Sequence, residues 1–382
     1  MLSVDATARK TIVSEIYREG YTRKMGLLLA LIILLSVAAI YSIAAGSARV
    51  SPEDVGLALG GALSSRINGI LDYAGFIPPG YRLPAMAPHS DIASVIVINM
   101  RAPRILLAIL TGMSLAMAGV VMQGILRNPL VSPFTLGLAS ASSFGAALMI
   151  VIGVSISIPF IPGDSSVVIS AFVFGMASMA LIYGVSRMRG TSQATLILSG
   201  VVIGYIFQAG VLILKYISNN EKLKDLVVWL MGGMWSASWD TIVILTPITL
   251  ICMATMWLMA WSLNALAAGD DIAKSLGIRV ERLRLFCLFM TTLAASSCLA
   301  FTGVIGFIGL MAPHICRMLI GNDHRYLIPC SALMGAIILL VSDTFARTIM
   351  SPIEIPVGII MYIIGGVFFL CLILRGKESH IY

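Results

Sequence analysis

Charge is scarce in this chain. Only 11% of its 382 residues are Asp, Glu, Lys or Arg, while 59% are hydrophobic and the mean hydropathy is +0.98. A soluble domain cannot hide that much apolar surface, which excludes an ordinary water-soluble enzyme or binding module. Long alternating apolar–polar segments are also missing, and a membrane β-barrel needs them over about ten residues per strand. The six cysteines (Cys252, Cys287, Cys298, Cys316, Cys330, Cys371) show no C-x-x-C spacing and lie in or near apolar runs. They read as small buried hydrophobes rather than disulfides or metal ligands. No P-loop occurs: RGKE at Arg375–Glu378 lacks the upstream Gly and the Ser/Thr that cradle phosphate and Mg²⁺. H-E-x-x-H, G-x-S-x-G and paired metal-ligand spacings are absent too, and His89, His314, His324 and His380 are scattered as loop or helix-end residues. No metal site and no catalytic residue is expected in this chain, and any ATP and Mg²⁺ would be held by another subunit.

What is present is a series of apolar runs, each about as long as the bilayer's hydrocarbon core requires of a helix. They fall at about 25–46, 102–126, 134–153, 166–186, 193–215, 241–263, 285–304, 306–320, 327–346 and 356–374. The eighth is short and interrupted by Gly306, Gly309 and Pro313. The reading is an all-α polytopic membrane protein with ten transmembrane helices. Residues 1–24 are polar, and Met25–Gly46 is too long for the apolar core of a signal peptide, so it is expected to be the first span. Ten spans put both termini on one side. With that side inside, 16 of the 25 Lys and Arg residues fall on inner segments, so the positive-inside rule predicts cytoplasmic termini in a cell membrane. The expected division is a cytoplasmic segment 1–24, a ten-helix transmembrane body 25–375 and a cytoplasmic tail 376–382.

Residues 47–100 form a long loop on the outer side, where Ser51 can cap a helix with Pro52 at its first position, before a turn at Pro78–Gly80. An internal echo links LAMAGVV, Leu115–Val121, to LAFTGVI, Leu299–Ile305, at an offset of 184 residues that also carries Pro129 onto Pro313. A real echo would relate the second span to the seventh and imply halves of opposite orientation, as in inverted-repeat transporters.

Four polar features stand out. Asp343 is a carboxylate inside a span, which marks either function or an i,i+4 ion pair with Arg347. RAPR, Arg101–Arg104, begins the second span at the outer surface and reads as interfacial anchoring or, with Arg347, as a docking point for an acidic partner. RNPLVSP, Arg127–Pro133, has two prolines that force a turn at the inner end of the same span, either a plain turn or the mouth of a pathway. GDDIAKSLGIRVERLR, Gly269–Arg284, has seven charged residues in sixteen, inside the inner loop 264–284. Asp270 and Asp271 favour a helix start and Gly277 a stop, with Ile272, Ala273 and Leu276 as a small apolar face. A structured apolar face in a solvent loop suits a docking partner better than it suits solubility.

Several stretches together resemble permease subunits of ABC importers for iron-siderophores, haem and vitamin B12, the FecCD-like family. They are RAPRILLAILTGMSLAMAGVVMQGILRNPLVSPFTLGLASASSFGAAL, WLMGGMWSASW, GDDIAKSLGI, GFIGLMAPHICRMLIGNDHR and IEIPVGIIMYIIGGVFFLCLI, in order over roughly residues 25–375. The resemblance implies a type II importer fold with ten helices and inverted repeats, working as a homodimer with two ATPase subunits and an extracytoplasmic substrate-binding protein. It implies that Asp270, Asp271, Ile272, Ala273, Lys274, Ser275, Leu276 and Gly277 form the coupling helix that seats on the ATPase. It also places Arg101, Arg104 and Arg347 at binding-protein docking positions. The cytoplasmic gate falls at Asn128, Pro129 and Leu130 with Thr191, Ser192 and Gln193. The implied function is alternating-access import of an iron chelate, haem or corrinoid, with ATP and Mg²⁺ bound by the ATPase. A secondary transporter driven by H⁺ or Na⁺ is the alternative.

Overall fold

The computed structural model describes residues 6–46, 50–74, 91–159, 161, 164–188 and 192–375. Among these all regular secondary structure is helical. The helices are α1 Ala6–Ala44, α2 Pro52–Ala74, α3 Asp91–Ser94, α4 Ala102–Leu126, α5 Leu138–Ile152, α6 Ser165–Met188, α7 Gln193–Ile217 and α8 Asn220–Met231. They continue with α9 Trp239–Leu258, α10 Ala260–Ala267, α11 Asp270–Ser275, α12 Val280–Thr302, α13 Ile308–Ile320, α14 His324–Thr348 and α15 Val357–Arg375. Eight described helical stretches are long and apolar enough to cross a bilayer, and α5 and α13 are shorter apolar helices. These ten occupy the positions of the ten predicted runs, with altered boundaries. The second span begins at Ile92, because α3 and a stretch of wider π-type turns, Val95–Arg101, run straight into α4. Pro103 therefore lies within a continuous helical stretch, where its missing N–H forfeits one bond to the preceding turn, and it marks no true beginning. The third begins only at Leu138, after a turn in which Ser132 N–H donates to Thr135 Oγ1 (2.9 Å) and Gly137 takes φ +79°.

α4 is the central element: 83% of its best apolar window is buried, against 11% for α1 and 28% for α15. In lipid, helices gain little from hydrophobicity against one another, so close packing of small residues must hold them. A Cβ on Gly112 would lie 2.4 Å from the carbonyl oxygen of Gly335 in α14, and the reverse substitution meets Gly112 O at the same distance. Gly119 is pressed onto the backbone of Gly309 in α13. Ser114 and Thr249 add a buried hydroxyl contact between α4 and α9 at 3.0 Å. Cys252, Cys287, Cys298, Cys316 and Cys330 are buried thiols, and Cys371 is exposed.

The long loop contains α2, whose start is capped as its sequence predicts: Asp54 N–H donates to Ser51 Oγ at 3.0 Å, with Pro52 first in the helix. Val55 and Ala58 of α2 pack on Val97, so α2 lies against the extended start of the second span. The turn at Pro78–Gly80 lies outside the described residues, as do His89 and His380. The two arms of the internal echo differ locally: Leu115–Val121 lies within α4, whereas Leu299–Ile305 straddles the end of α12 at Thr302.

Candidate functional site

The charged island folds as a short helix, α11, followed by the first turn of α12. α11 opens at Gly269, whose φ of +133° turns the chain sharply out of α10. It closes by a Schellman motif: Ile278 N–H donates to Ala273 O (3.0 Å), Gly277 N–H donates to Lys274 O (2.9 Å), and Gly277 takes φ +80°. The predicted apolar face divides in two. Ala273 is fully buried in the core, anchoring the helix, while Ile272 (50% exposed) and Leu276 (66%) point away from the bundle. A cavity of about 460 Å³ beside them is lined by Lys274, Gly277 and the Ile278–Arg282 stretch.

Asp270 turns towards the bundle. Its Oδ1 lies 2.8 Å from Nη2 of Arg284 in α12 and 3.1 Å from Nη2 of Arg127 at the end of α4. Arg127 is one of two described non-glycine residues with positive φ, at 44°. Directly after it come Asn128, Pro129 and Leu130, in a turn where Asn128 Oδ1 accepts from Leu130 N–H at 2.9 Å. Gln193, the first residue of α7, completes the group. With its amide oriented to suit its neighbours, its oxygen accepts from Arg127 Nε (2.7 Å) and from Arg284 Nη2 (2.9 Å). Ser192 caps α7 by accepting from Thr195 N–H at 3.1 Å. Thr191, the remaining residue of the expected gate, lies outside the described residues. The structure therefore brings the island, the RNPL turn and the start of α7 to one end of the bundle.

At the opposite end the three arginines expected to dock a binding protein are engaged within the chain. Arg101 is 4% exposed and donates through Nη1 to the carbonyls of Ile43 (2.7 Å) and Ala44 (3.1 Å) at the end of α1. Arg347, also 4% exposed, donates to the carbonyl and hydroxyl of Ser42. Arg104 forks onto Asp343, with Nε–Oδ2 and Nη2–Oδ1 both 3.0 Å, and reaches Glu354 through Nη1 at 2.6 Å. The expected i,i+4 ion pair is present but loose, with Arg347 Nε 3.9 Å from Asp343, beyond hydrogen-bond reach. Arg104, 239 residues away in sequence, holds both carboxylate oxygens. Bidentate guanidinium geometry makes it the stronger partner, one that helix spacing does not reveal.

With this geometry in view, comparisons with known proteins are decisive. The FecCD transport family matches residues 30–375. The chain belongs to the FecCD transport family. This FecCD chain is 40% identical to the hemin transport system permease of Yersinia pestis over 74% of its own length and 84% of the relative's. It is 35% identical to the Fe(3+)-citrate import permease of Bacillus subtilis over 91% of its length and 94% of the relative's. Among solved structures it is similar to an ABC transporter assigned to the metal-chelate type, in an inward-facing conformation. There the TM-score is 0.74 at 32% identity, covering 92% of this chain and 99% of the other.

Family membership makes the chain a membrane-embedded permease subunit of an ABC importer, a transport component rather than an enzyme, and one that works with ATPase and substrate-binding components. It sets aside the ion-driven carrier. Sequence reasoning missed Arg127 and Gln193 as partners of Asp270 and left Arg284 undecided. The usable signal was that Arg284 ends a charged run where an apolar run begins, so one of its arginines had to face protein. A second group was also missed. Asn264 in α10 donates to Asp323 (2.8 Å) and its oxygen accepts from His324 N–H (2.9 Å), tying α10 to the α13–α14 turn.

Proposed function

We propose that this FecCD permease imports an iron chelate, haem or a corrinoid, and that α11 is the helix on which its ATPase pushes. The observation that carries the coupling reading is the division of α11. Ala273 roots it in the core, Ile272 and Leu276 stand exposed at its tip, and Asp270 fixes its base to two other helices. A loop needing only solubility would not expose two large aliphatic side chains on a capped helix. Asp271, Lys274, Ser275 and Gly277 complete the proposed contact. ATP and Mg²⁺ are assigned to the ATPase, since this sequence has no P-loop.

In this reading the α11 end and both termini are cytoplasmic, in keeping with the distribution of Lys and Arg. Two copies form the pathway by alternating access. The exposed apolar faces of α7 (Val202, Tyr205, Ile206, Ile213) and α15 (Ile363, Val367, Leu370) are suited to a second copy or to lipid. Asn128, Pro129 and Leu130 with Thr191, Ser192 and Gln193 form the inner gate. The substrate-binding protein docks at the Asp343 end, where Arg101, Arg104 and Arg347 shape the rim from within. The substrate class is proposed because relatives named for hemin and Fe(3+)-citrate cover most of this chain.

The test is assembly. The double variant Ile272→Asp/Leu276→Asp should leave the permease folded, because both positions are exposed, and should abolish copurification of the P-loop ATPase. Retained copurification would sink the coupling assignment.

A further inference from the structure

We infer that Asp270, Arg127, Arg284 and Gln193 form a latch that converts displacement of α11 into release of the RNPL turn and of the start of α7. This rests on the reading of α11 as the coupling helix and names the residues through which its motion travels.

The geometry is unusual for a structural ion pair. One carboxylate oxygen, Asp270 Oδ1, serves two guanidiniums, at 2.8 and 3.1 Å, and the same two guanidiniums share one amide oxygen on Gln193. Two cations thus converge on a single anion, so removing the anion leaves like charges side by side. The two arginines are held unequally. The Arg284 side chain is 7% exposed and its Nε donates to Ile125 O at 3.2 Å, so it stays with α4 and α12 whatever α11 does. The Arg127 side chain is 38% exposed, and its backbone sits at φ 44°. A bulky non-glycine residue holds that conformation only where its surroundings over-determine it. The backbone there is closed as the C-cap of α4 by the Arg127 and Asn128 N–H groups, both donating to Gln123 O, while Asp270 and Gln193 hold the Arg127 side chain. A shift of α11 that lengthens the Asp270 contacts therefore frees the side chain of the residue that carries Asn128, Pro129 and Leu130. It also loosens the grip on the first residue of α7. Asp270, Arg127, Arg284 and Gln193 act as positioning residues between α11 and the turn.

Labelling of the turn itself tests this without any substrate. Leu130, 64% exposed, is replaced by Cys in a Cys371→Ser background, leaving five native thiols that are buried. The permease–ATPase complex is purified and its reaction with a membrane-impermeant maleimide is timed without nucleotide and after trapping with ATP and vanadate. With Asp270 intact, the two rates should differ by roughly fivefold or more, the lower range of allosteric coupling. With Asp270→Asn the two rates should converge, while the ATPase still copurifies and still hydrolyses ATP, and Asp270→Glu should restore the difference. Equal nucleotide sensitivity in Asp270→Asn and the parent would overturn the latch. So would loss of ATPase copurification in Asp270→Asn, since Asp270 would then be an ATPase contact rather than an internal tie. Failure of the coupling reading itself shows separately, as retained copurification in the Ile272/Leu276 variant.

Discussion

At one end of the bundle Asp343 is fully buried and gripped by both arms of Arg104, whereas at the other Asp270 keeps 29% of its side chain exposed and is shared between two arginines. Both clusters tie α4 to a distant helix, and both count more cations than the nearest carboxylate can neutralise. They differ in water access. In the Asp343 cluster Arg101 and Arg347 are each 4% exposed and spend hydrogen bonds on the carbonyls that α1 leaves open at its C-terminus. An ion pair without water has no alternative partner, so it is held or the structure breaks. In the Asp270 cluster water can reach Asp270 and Arg127, though not the buried Arg284, so the Asp270–Arg127 pair can open at little cost. The same residue types make a fixed joint in one place and a movable one in the other.

The comparison is broken most directly at Asp343. Asp343→Leu leaves Arg104 and Arg347 without their buried carboxylate and should destabilise the detergent-solubilised permease by about 3–5 kcal/mol, measured by thermal unfolding. A loss below about 1 kcal/mol would show that this cluster is as permissive as the other. Glu354→Gln removes the charge from a 2.6 Å contact to Arg104 but leaves the fork on Asp343, and its side chain is 31% exposed. It should cost about 1–2 kcal/mol, the range of a charge-assisted hydrogen bond. Asp270→Asn should shift unfolding by no more than about 1 kcal/mol, because Asp270 and its partner Arg127 are 29% and 38% exposed. An effect as large as that of Asp343→Leu would make the Asp270 cluster a fixed joint too.

The sequence made the bundle legible because hydropathy in lipid depends on run length, and run length survives without any alignment. Boundaries failed where backbone chemistry overrode hydropathy. Ile92–Met100 is helical before Pro103, and Ser132–Gly137 is a turn despite its apolar neighbours. The closing of α11 at Gly277 was readable, since a left-handed stop needs glycine. The partners were not. Arg104 and Asp343 are 239 residues apart, and helix spacing can propose only Arg347, four residues away. Ile272, Ala273 and Leu276 looked equivalent on a helical wheel, yet only contact with the core separates the anchor from the two exposed side chains. Arg101 and Arg347, at the ends of spans, are buried, because the carbonyls of Ser42, Ile43 and Ala44 needed donors.

The smallest effect separates the two ends by pH. Asp323, at the α11 end, is pushed up by burial, but hydrogen bonds from Arg325 (Nη2 at 2.6 Å) and Asn264 (Nδ2 at 2.8 Å) outweigh this and hold its carboxyl well below the usual range. A carboxylate depressed in the folded state contributes stability in full above its unfolded value of about 4, and loses it as pH falls through the lower folded value. The difference in stability between the parent and Asp323→Asn should therefore be flat from about pH 8 to pH 5 and shrink only below about pH 4. Thermal unfolding of both proteins across that range measures it. A difference already shrinking between pH 7 and pH 5 would mean that Asp323 exchanges its partners for water in the folded protein. The α13–α14 turn would then belong with the movable joint rather than with the fixed one.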